Sequence, residues 1–264
     1  MLGKTILTIF LILATTICNW AREPSNTEGM FVQGKAMLQE AINTWNLQQM
    51  MAARNLFERL LADSSHCNLA HYYVALCDLR IFHQSLQKED KDQAKRYIEN
   101  GIEHMETAVE NDPVFAEGLA LLSTLYGNKI GLNPFSGMTL GPKSGKAIEK
   151  AFELAPENPR VSFIAGQSAF YTPKMFGGGK DKARKHLLKA VECFQTFQPE
   201  QAIDPDWGEE EAYTFLGLVA NDEDSYGEAK QYFEKALEIN PNWSWVKDVL
   251  LPELDKKMVL SETE

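Results

Sequence analysis

The chain has 264 residues, of which 44% are hydrophobic and 24% are charged, values typical of a globular protein with a sizeable core. It carries 26 Lys and Arg residues against 37 Asp and Glu residues, a net charge of -11. Because affinity for nucleic acid comes largely from basic side chains that neutralise phosphates, this balance argues against DNA or RNA as a partner.

The first element in chain order is a short apolar run with one Lys before it. The run covers residues 6–17, which is too short to span a bilayer comfortably but typical of a secretory signal. We expect cleavage after Ala21, so that residues 1–21 are a signal peptide and the protein is exported to the periplasm or secreted. Two alternatives remain, a lipid anchor at Cys18, which follows the bulky Ile17, and a short retained membrane anchor.

Export would place the other cysteines in an oxidising compartment, where cysteines often pair. Cys67, Cys77 and Cys193 are odd in number and lack the spacing of a metal motif. On one helix, Cys67 and Cys77 would lie about 15 Å apart at ~1.5 Å per residue, too far for a disulfide. We expect all three to be small buried hydrophobic residues.

The segment 210–243 carries the clearest repeated pattern of the chain. The positions that define it are Tyr213, Leu216, Gly217, Ala220, Ala229, Phe233, Ala236 and Pro241. Small residues let two helices cross closely, the phenylalanine fills the gap between them, and the proline ends the second helix. This pattern resembles the tetratricopeptide repeat, a helix–turn–helix unit of about 34 residues.

Degenerate copies of the same unit precede this segment. Pro113 and Pro156 end two earlier second helices, with small residues at matching offsets before them. The resemblance therefore implies an all-α solenoid of five tetratricopeptide-type repeats over residues 34–243. We expect a linker at 22–33 before them and a capping helix and tail at 244–264 after them.

Three of these repeats are longer than the usual unit, and each excess falls between the first helix (A) and the second helix (B). The insertions lie at 80–100, 127–146 and 170–180. The first is partly helical in character, and the second and third are rich in glycine and proline. The A–B turns of successive repeats line one edge of a solenoid. We therefore expect long A–B loops that lie side by side, where binding residues are often found.

The motifs that could carry chemistry are weak. GPKSGKA at 141–147 lacks the P-loop spacing, the hydroxyl residue after the lysine and a preceding strand. FGGGK at 176–180 also follows no strand, and the functional alternative to a simple turn is a weak anion site with Lys180. The 5 histidines form no ligand motif, and the acidic runs at 204–211 and 221–225 lack the EF-hand order. We expect no enzyme, no metal and no cofactor.

The remaining candidate is the groove that the A helices line in tetratricopeptide arrays. If the family geometry holds here, the residues that line the groove are Trp45, Tyr72, Arg80, Arg160, Phe163, Gln167, Phe170 and Tyr171. Lys180 of the weak anion site completes the predicted binding residues. Aromatic and arginine side chains are enriched at binding hot spots, and the arginines would suit a carboxylate or an acidic peptide end. The alternative, that the aromatics are core residues bridging helices, stays open.

Two functions fit this pattern. The first is an exported, non-catalytic scaffold that binds a peptide segment or a partner protein along its concave groove. The second is a periplasmic small-solute binder, because the layout also resembles the tetratricopeptide partner subunit of tripartite periplasmic solute transporters, a helical protein with a ligand-sized pore. Membrane contact is expected only through the signal or a lipid anchor at Cys18.

Overall fold

The computed structural model describes residues 26–261, so the signal segment and Cys18 lie outside the described residues. Regular structure in the described part is helical throughout. The α-helices are α1 (Asn26–Asn43), α2 (Leu47–Leu60), α3 (Cys67–Gln87), α4 (Lys91–Asn111), α5 (Ala116–Leu132), α6 (Gly137–Leu154), α7 (Pro159–Tyr171), α8 (Lys180–Phe194), α9 (Glu209–Asp222), α10 (Tyr226–Ile239) and α11 (Leu251–Ser261). Short 3₁₀ turns cover Pro134–Ser136 and Lys174–Phe176, and a π-helical turn covers Trp245–Leu250.

Consecutive helices pack as hairpins, which we number 1 to 5 from α1/α2 to α9/α10. The second helix of hairpins 1, 2 and 4 also packs on the first helix of the next hairpin. Helices α3, α5, α7 and α9 contact one another in turn and form the inner row, while α11 lies against α10. The predicted all-α helical repeat fold is confirmed.

Glycines at the helix crossings explain why the hairpins pack closely. A Cβ at Gly166 would lie 2.7 Å from Cγ of Leu187, and one at Gly34 would lie 2.6 Å from the Phe57 ring. At Gly217 a Cβ would likewise collide with the Phe233 ring. These positions therefore require glycine for packing. At Gly217 this agrees with the sequence pattern, which predicts a small residue where two helices cross closely.

The first two insertions are helical, which agrees with the partly helical character of the first and corrects the expectation of a long loop for the second. Residues 80–100 extend α3 and α4, each of which has 21 residues. Residues 127–146 extend α5 and α6 across the turn at Pro134–Ser136, and Pro142 lies inside α6. Packing of α6 along α5 overrides the poor helix propensity of this stretch. Only the third insertion is mainly a turn, with Gly177 and Gly179 at φ values of 84° and 109°.

The N-terminal boundary also differs from the expectation. Helix α1 begins at Asn26, inside the segment 22–33 that the sequence suggests is a linker. Phe31 on this helix is fully buried, and its ring centroid lies 6.0 Å from those of Phe57 and Tyr73. The start of α1 is therefore part of the first hairpin because its aromatic side chain contributes to the core.

A long irregular connection between α8 and α9, residues 195–208, packs against the inner row. We call it the strap. Its contacts with α3 and α7 were not predicted from the sequence. None of the described helices combines the length and hydropathy of a membrane span. Cys67, Cys77 and Cys193 are free, and burial raises the pKa of the Cys77 thiol well above its ordinary value.

Candidate functional site

The strap fills the floor of the concave face and is held there by its backbone. Tyr73 Oη donates to the carbonyl oxygen of Ile203 at 2.8 Å, and Ile203 is buried. Lys35 Nζ donates to the carbonyl oxygens of Ala202 at 2.8 Å and Asp204 at 2.6 Å. Helices α1 and α3 thus bind the strap much as a groove would bind an extended peptide, with specific partners for its carbonyl groups.

Trp207 near the end of the strap occupies the position expected for a ligand. Its Nε1 donates to Tyr72 Oη at 3.0 Å, and the Arg80 guanidinium lies 5.2 Å from its ring centroid. The Phe163 ring contacts it edge-on at 6.0 Å between centroids. Burial raises the pKa of Tyr72 well above its ordinary value, so the phenol stays neutral and its oxygen accepts the indole hydrogen bond. Three of the predicted groove residues are therefore engaged by the chain itself.

The two predicted arginines are paired inside the protein. Arg80 Nη1 donates to Glu211 at 2.9 Å, and both side chains are buried. Arg160, which is 1% exposed, donates through Nε and Nη2 to Glu117 at 2.9 and 2.6 Å. The Phe197 ring of the strap covers the Arg160 guanidinium at 4.4 Å. Neighbouring helices thus supply the carboxylates that the sequence analysis assigned to a ligand.

The remaining predicted residues are dispersed. Trp45 lies in the α1–α2 turn with a φ of 48°, and its carbonyl accepts from the Gln84 side chain. Lys180 Nζ donates to the carbonyl oxygen of Asp222 at 2.7 Å and pairs with its carboxylate at 3.4 Å, so it ties hairpin 4 to hairpin 5. Tyr171 is 67% exposed at the end of α7.

Gln167 and Phe170, also on α7, are half-buried. The Phe170 ring contacts Tyr171 and Phe215 at 5.1 and 5.7 Å between centroids. Helix α7 is thus buried at its N-terminal end, around Arg160 and Phe163, and exposes an aromatic side chain, Tyr171, at its C-terminal end. The structure brings Tyr171 into an aromatic cluster that is open on one side.

A cavity of about 10 Å³ remains above the strap, between α3, α5 and α7. It has room for about one water molecule. Within the described residues, Arg80 Nε and Thr124 Oγ1 border it without a hydrogen-bond partner. His83 also borders the cavity, and burial together with Arg80 lowers its pKa to about 4, so the ring is neutral at pH 7. The inner face therefore encloses no space of solute size at this position.

A second cleft lies on the side of α3 and α4 that faces α2. It has a volume of about 300 Å³ and is lined in part by Glu58 and Glu103. His71 Nδ1 and His104 Nδ1 share a hydrogen bond of 2.8 Å at its wall, and burial lowers the pKa of His104 to about 4. The described residues contain no group of three or more side chains placed to hold a metal ion. The histidine pair is a contact between helices.

The most exposed apolar side chains lie in the A–B turns of hairpins 3 and 4. They are Phe135 (93% exposed), Met138 (91%), Met175 (82%), Phe176 (72%) and Tyr171 (67%). We call these five residues the apolar edge. The two turns belong to neighbouring hairpins, because α5 packs on α7. Sequence analysis places two insertions here but names only Tyr171, since nothing in the local pattern shows which turn residues stay uncovered.

Comparison with known proteins identifies the repeat. Residues 210–242 match the tetratricopeptide repeat family. The chain therefore contains a tetratricopeptide repeat at its α9/α10 hairpin. Its structure resembles that of the HusA haemophore from Porphyromonas gingivalis, with 27% identity and a TM-score of 0.63 over 76% of this chain and 96% of HusA.

Two further proteins resemble it more distantly. A thermophilic tetratricopeptide protein of Thermus thermophilus is 20% identical with a TM-score of 0.51, over 83% of this chain and 99% of that protein, and shares the fold. The mouse protein O-mannosyl-transferase TMTC1 is 28% identical over 118 residues, which are 44% of this chain but 11% of the mouse protein.

Proposed function

We propose that this tetratricopeptide repeat protein is an exported, non-catalytic scaffold that binds a partner protein or peptide through its apolar edge. The observation that carries the proposal is the exposure of five large apolar side chains, between 67% and 93%, in two adjacent turns. Exposed apolar side chains that cluster in this way often mark interaction sites. Burial of these side chains in a complex would contribute ~25 cal/mol to the binding free energy for each Å² of apolar surface removed from water.

The concave floor is a less suitable binding surface. A peptide could occupy it only if the strap left, and that would break the Tyr73 and Lys35 hydrogen bonds to strap carbonyls and uncover Ile203. The partner is therefore placed at the edge of the solenoid rather than along its inner row. Export as the setting of this interaction follows from the apolar run at residues 6–17.

Quantitative cross-linking tests the proposal. Purified wild type and a Phe135→Ser/Phe176→Ser variant are mixed with extract of the source cells, cross-linked and compared by mass spectrometry. Val114→Ser is a matched control, because Val114 is 65% exposed in the connection between α4 and α5 at the opposite end of the helices. We expect the partner signal to fall at least tenfold in the double variant and to persist in the control. Undiminished capture by the double variant would contradict the assignment to this edge.

A haem-type ligand is the second candidate, because HusA is a haemophore and this chain covers 96% of it at 27% identity. Titration with haemin, followed by the Soret band, tests this candidate. A saturable band shift at one equivalent that is lost in Met175→Ala and kept in Val114→Ser would support it. Absence of any saturable shift would exclude it. Native mass spectrometry of the purified protein would reveal whether another small solute is retained, as the transporter-related alternative predicts.

A further inference from the structure

We infer that the apolar edge docks an acidic, amphipathic segment of the partner protein, an inference that rests on the proposed function. The first reason is a local reversal of charge. The chain has a net charge of -11, yet residues 118–148 contain no Asp or Glu, and Lys129, Lys143 and Lys146 lie among them. In the neighbouring turn, Lys174 precedes Met175 and Phe176, and Lys180 and Lys182 follow them with one acidic residue, Asp181, in between. The edge is therefore a basic island in an acidic protein.

Lys129 pairs with Glu99 at 3.2 Å and Lys182 Nζ donates to the carbonyl oxygen of Gly177 at 2.9 Å, whereas the other lysines of this island are more available to a partner. Lys143 Nζ lies 3.6 Å from the Glu106 carboxylate, and both side chains are about half exposed, at 56% and 47%. Lys174 Nζ lies 3.7 Å from Asp181, with exposures of 86% and 91%. Such exposed ion pairs contribute little to stability because solvent screens the charges. Each lysine can therefore readily leave its carboxylate for one on a partner. Within residues 26–261, Lys146 forms no ion pair.

Acidic residues in the other turns on the same edge favour a binding partner that covers only hairpins 3 and 4. Glu89 lies in the turn of hairpin 2 and Asp224 in that of hairpin 5, and both are exposed at left-handed turn positions with φ values of 59° and 56°. A flat anionic bilayer would meet these carboxylates along with the lysines. A segment about 20 Å wide would cover only hairpins 3 and 4, because packed helices lie about 8–10 Å apart. Charge complementarity therefore favours a protein segment over a lipid surface.

The apolar side chains indicate the form of this segment. Methionine adapts to irregular partners, and Met138 and Met175 lie beside the rings of Phe135 and Phe176 in sequence. An amphipathic helix presents apolar side chains at i, i+3, i+4 and i+7 and can carry carboxylates along the flanks of that stripe. Such a helix would lay its apolar stripe on the exposed rings and methionines and its flanks against the lysines.

A defined probe tests this inference by fluorescence anisotropy at low ionic strength. The probe is a labelled synthetic amphipathic helical peptide with a Leu and Phe stripe flanked by Glu, and its counterpart has Lys at every Glu position. We expect the acidic peptide to bind at least tenfold more tightly than the basic one. Its affinity should fall at least tenfold in Lys146→Glu/Lys182→Glu and remain unchanged in Lys256→Glu, an exposed control on α11. Equal binding of the two peptides, or no effect of the charge reversal, overturns the inference.

Other occupants give different results in companion measurements. Co-sedimentation with vesicles containing phosphatidylglycerol, lost in Phe135→Ser/Phe176→Ser, would overturn the inference in favour of a membrane. Reversible self-association in analytical ultracentrifugation, lost in the same variant, would overturn it in favour of a second copy.

The cross-linking experiment separates the inference from the function. Partner capture that is lost in the apolar variant but retained in Lys146→Glu/Lys182→Glu would leave the proposed function standing and overturn the acidic assignment. Capture retained in both variants would overturn both.

Discussion

The inner floor and the apolar edge are made by the same hairpins, yet they present opposite surfaces. At the floor, Arg160 pairs with Glu117 and the Trp207 indole donates to Tyr72, so these side chains find their partners within the chain. At the edge, Phe135 is 93% exposed, and no segment within residues 26–261 covers it. Aromatic and arginine side chains are therefore poor guides to a binding face by themselves. What separates binding from packing is whether another part of the chain supplies their partners.

The largest expected effect concerns the floor. Arg160→Ala leaves Glu117 without its buried partner, and the free energy of unfolding should fall by about 3–5 kcal/mol. Urea denaturation followed by circular dichroism measures this loss. Lys189→Ala is the control, because its pair with Glu157 is exposed at 37% and 74% and should contribute no more than about 1 kcal/mol.

A charge-free replacement sharpens the same test. Arg160→Met/Glu117→Met removes both buried charges, and the double variant should be considerably more stable than Arg160→Ala alone. A single Arg160→Ala variant as stable as wild type would show that the floor is not a packed interior, and the arginine would again be a candidate for ligand binding.

The second effect concerns the strap. Tyr73→Phe removes the hydrogen bond to the carbonyl oxygen of Ile203 and leaves a buried acceptor unsatisfied, so the unfolding free energy should fall by about 1–3 kcal/mol. Hydrogen exchange of strap amides should rise in parallel, while exchange in α10 should not change. Equal exchange in the strap of both proteins would mean that this hydrogen bond does not hold the segment against the inner row.

The strap also marks the limit of what the sequence predicts. The hairpins follow from local spacing, as in Gly217 and Phe233, where a small residue on one helix accommodates a ring on the next. The strap depends instead on contacts between distant residues, such as Tyr73 and Ile203, which lie 130 positions apart. No periodic pattern records such a contact. The acidic run at 204–211 was considered as a calcium motif, and the path of the strap over the inner row was not predicted.

The sequence predicted where the insertions at the A–B edge lie, but not all of their secondary structure or their exposure. The repeat spacing correctly locates extra residues between the helices of hairpins 2, 3 and 4. The partly helical character of the first insertion was predicted. The helical form of the second was missed, because Pro142 and the nearby glycines favour a loop and packing against α5 makes α6 helical there. The exposure of Met138 could not be predicted either, since it depends on the absence of a covering segment in three dimensions.

A third, smaller effect uses pH to probe the floor. Burial and the neighbouring Arg80 lower the pKa of His83 to about 4 in the fold, whereas the ordinary value is 6.5. The unfolded chain therefore binds the extra proton as the pH falls below about 6.5, so stability is full above that value and is lost towards pH 4. Between pH 7 and pH 5, wild type should lose about 1–2 kcal/mol more than His83→Gln.

Thermal unfolding across this pH range measures the difference. The other histidines are the same in both proteins, so their contributions cancel in the comparison. The glutamine keeps a polar group within reach of the Asn128 side chain, which His83 Nε2 contacts at 3.1 Å. Identical pH profiles for the two proteins would mean that the His83 ring is solvated, and the inner face would then be more open than its contacts indicate.

The smallest expected change in stability is at the apolar edge. Phe135→Ser and Phe176→Ser replace rings that are 93% and 72% exposed, so the unfolding free energy should change by less than about 0.5 kcal/mol. The same substitutions should abolish partner capture. The edge would then be needed for binding but contribute almost nothing to the unfolding free energy. The floor is the opposite, because Arg160 should contribute strongly to stability. If the serine variants destabilised the protein by as much as Tyr73→Phe, these rings would be packed side chains and the two regions would not differ as described.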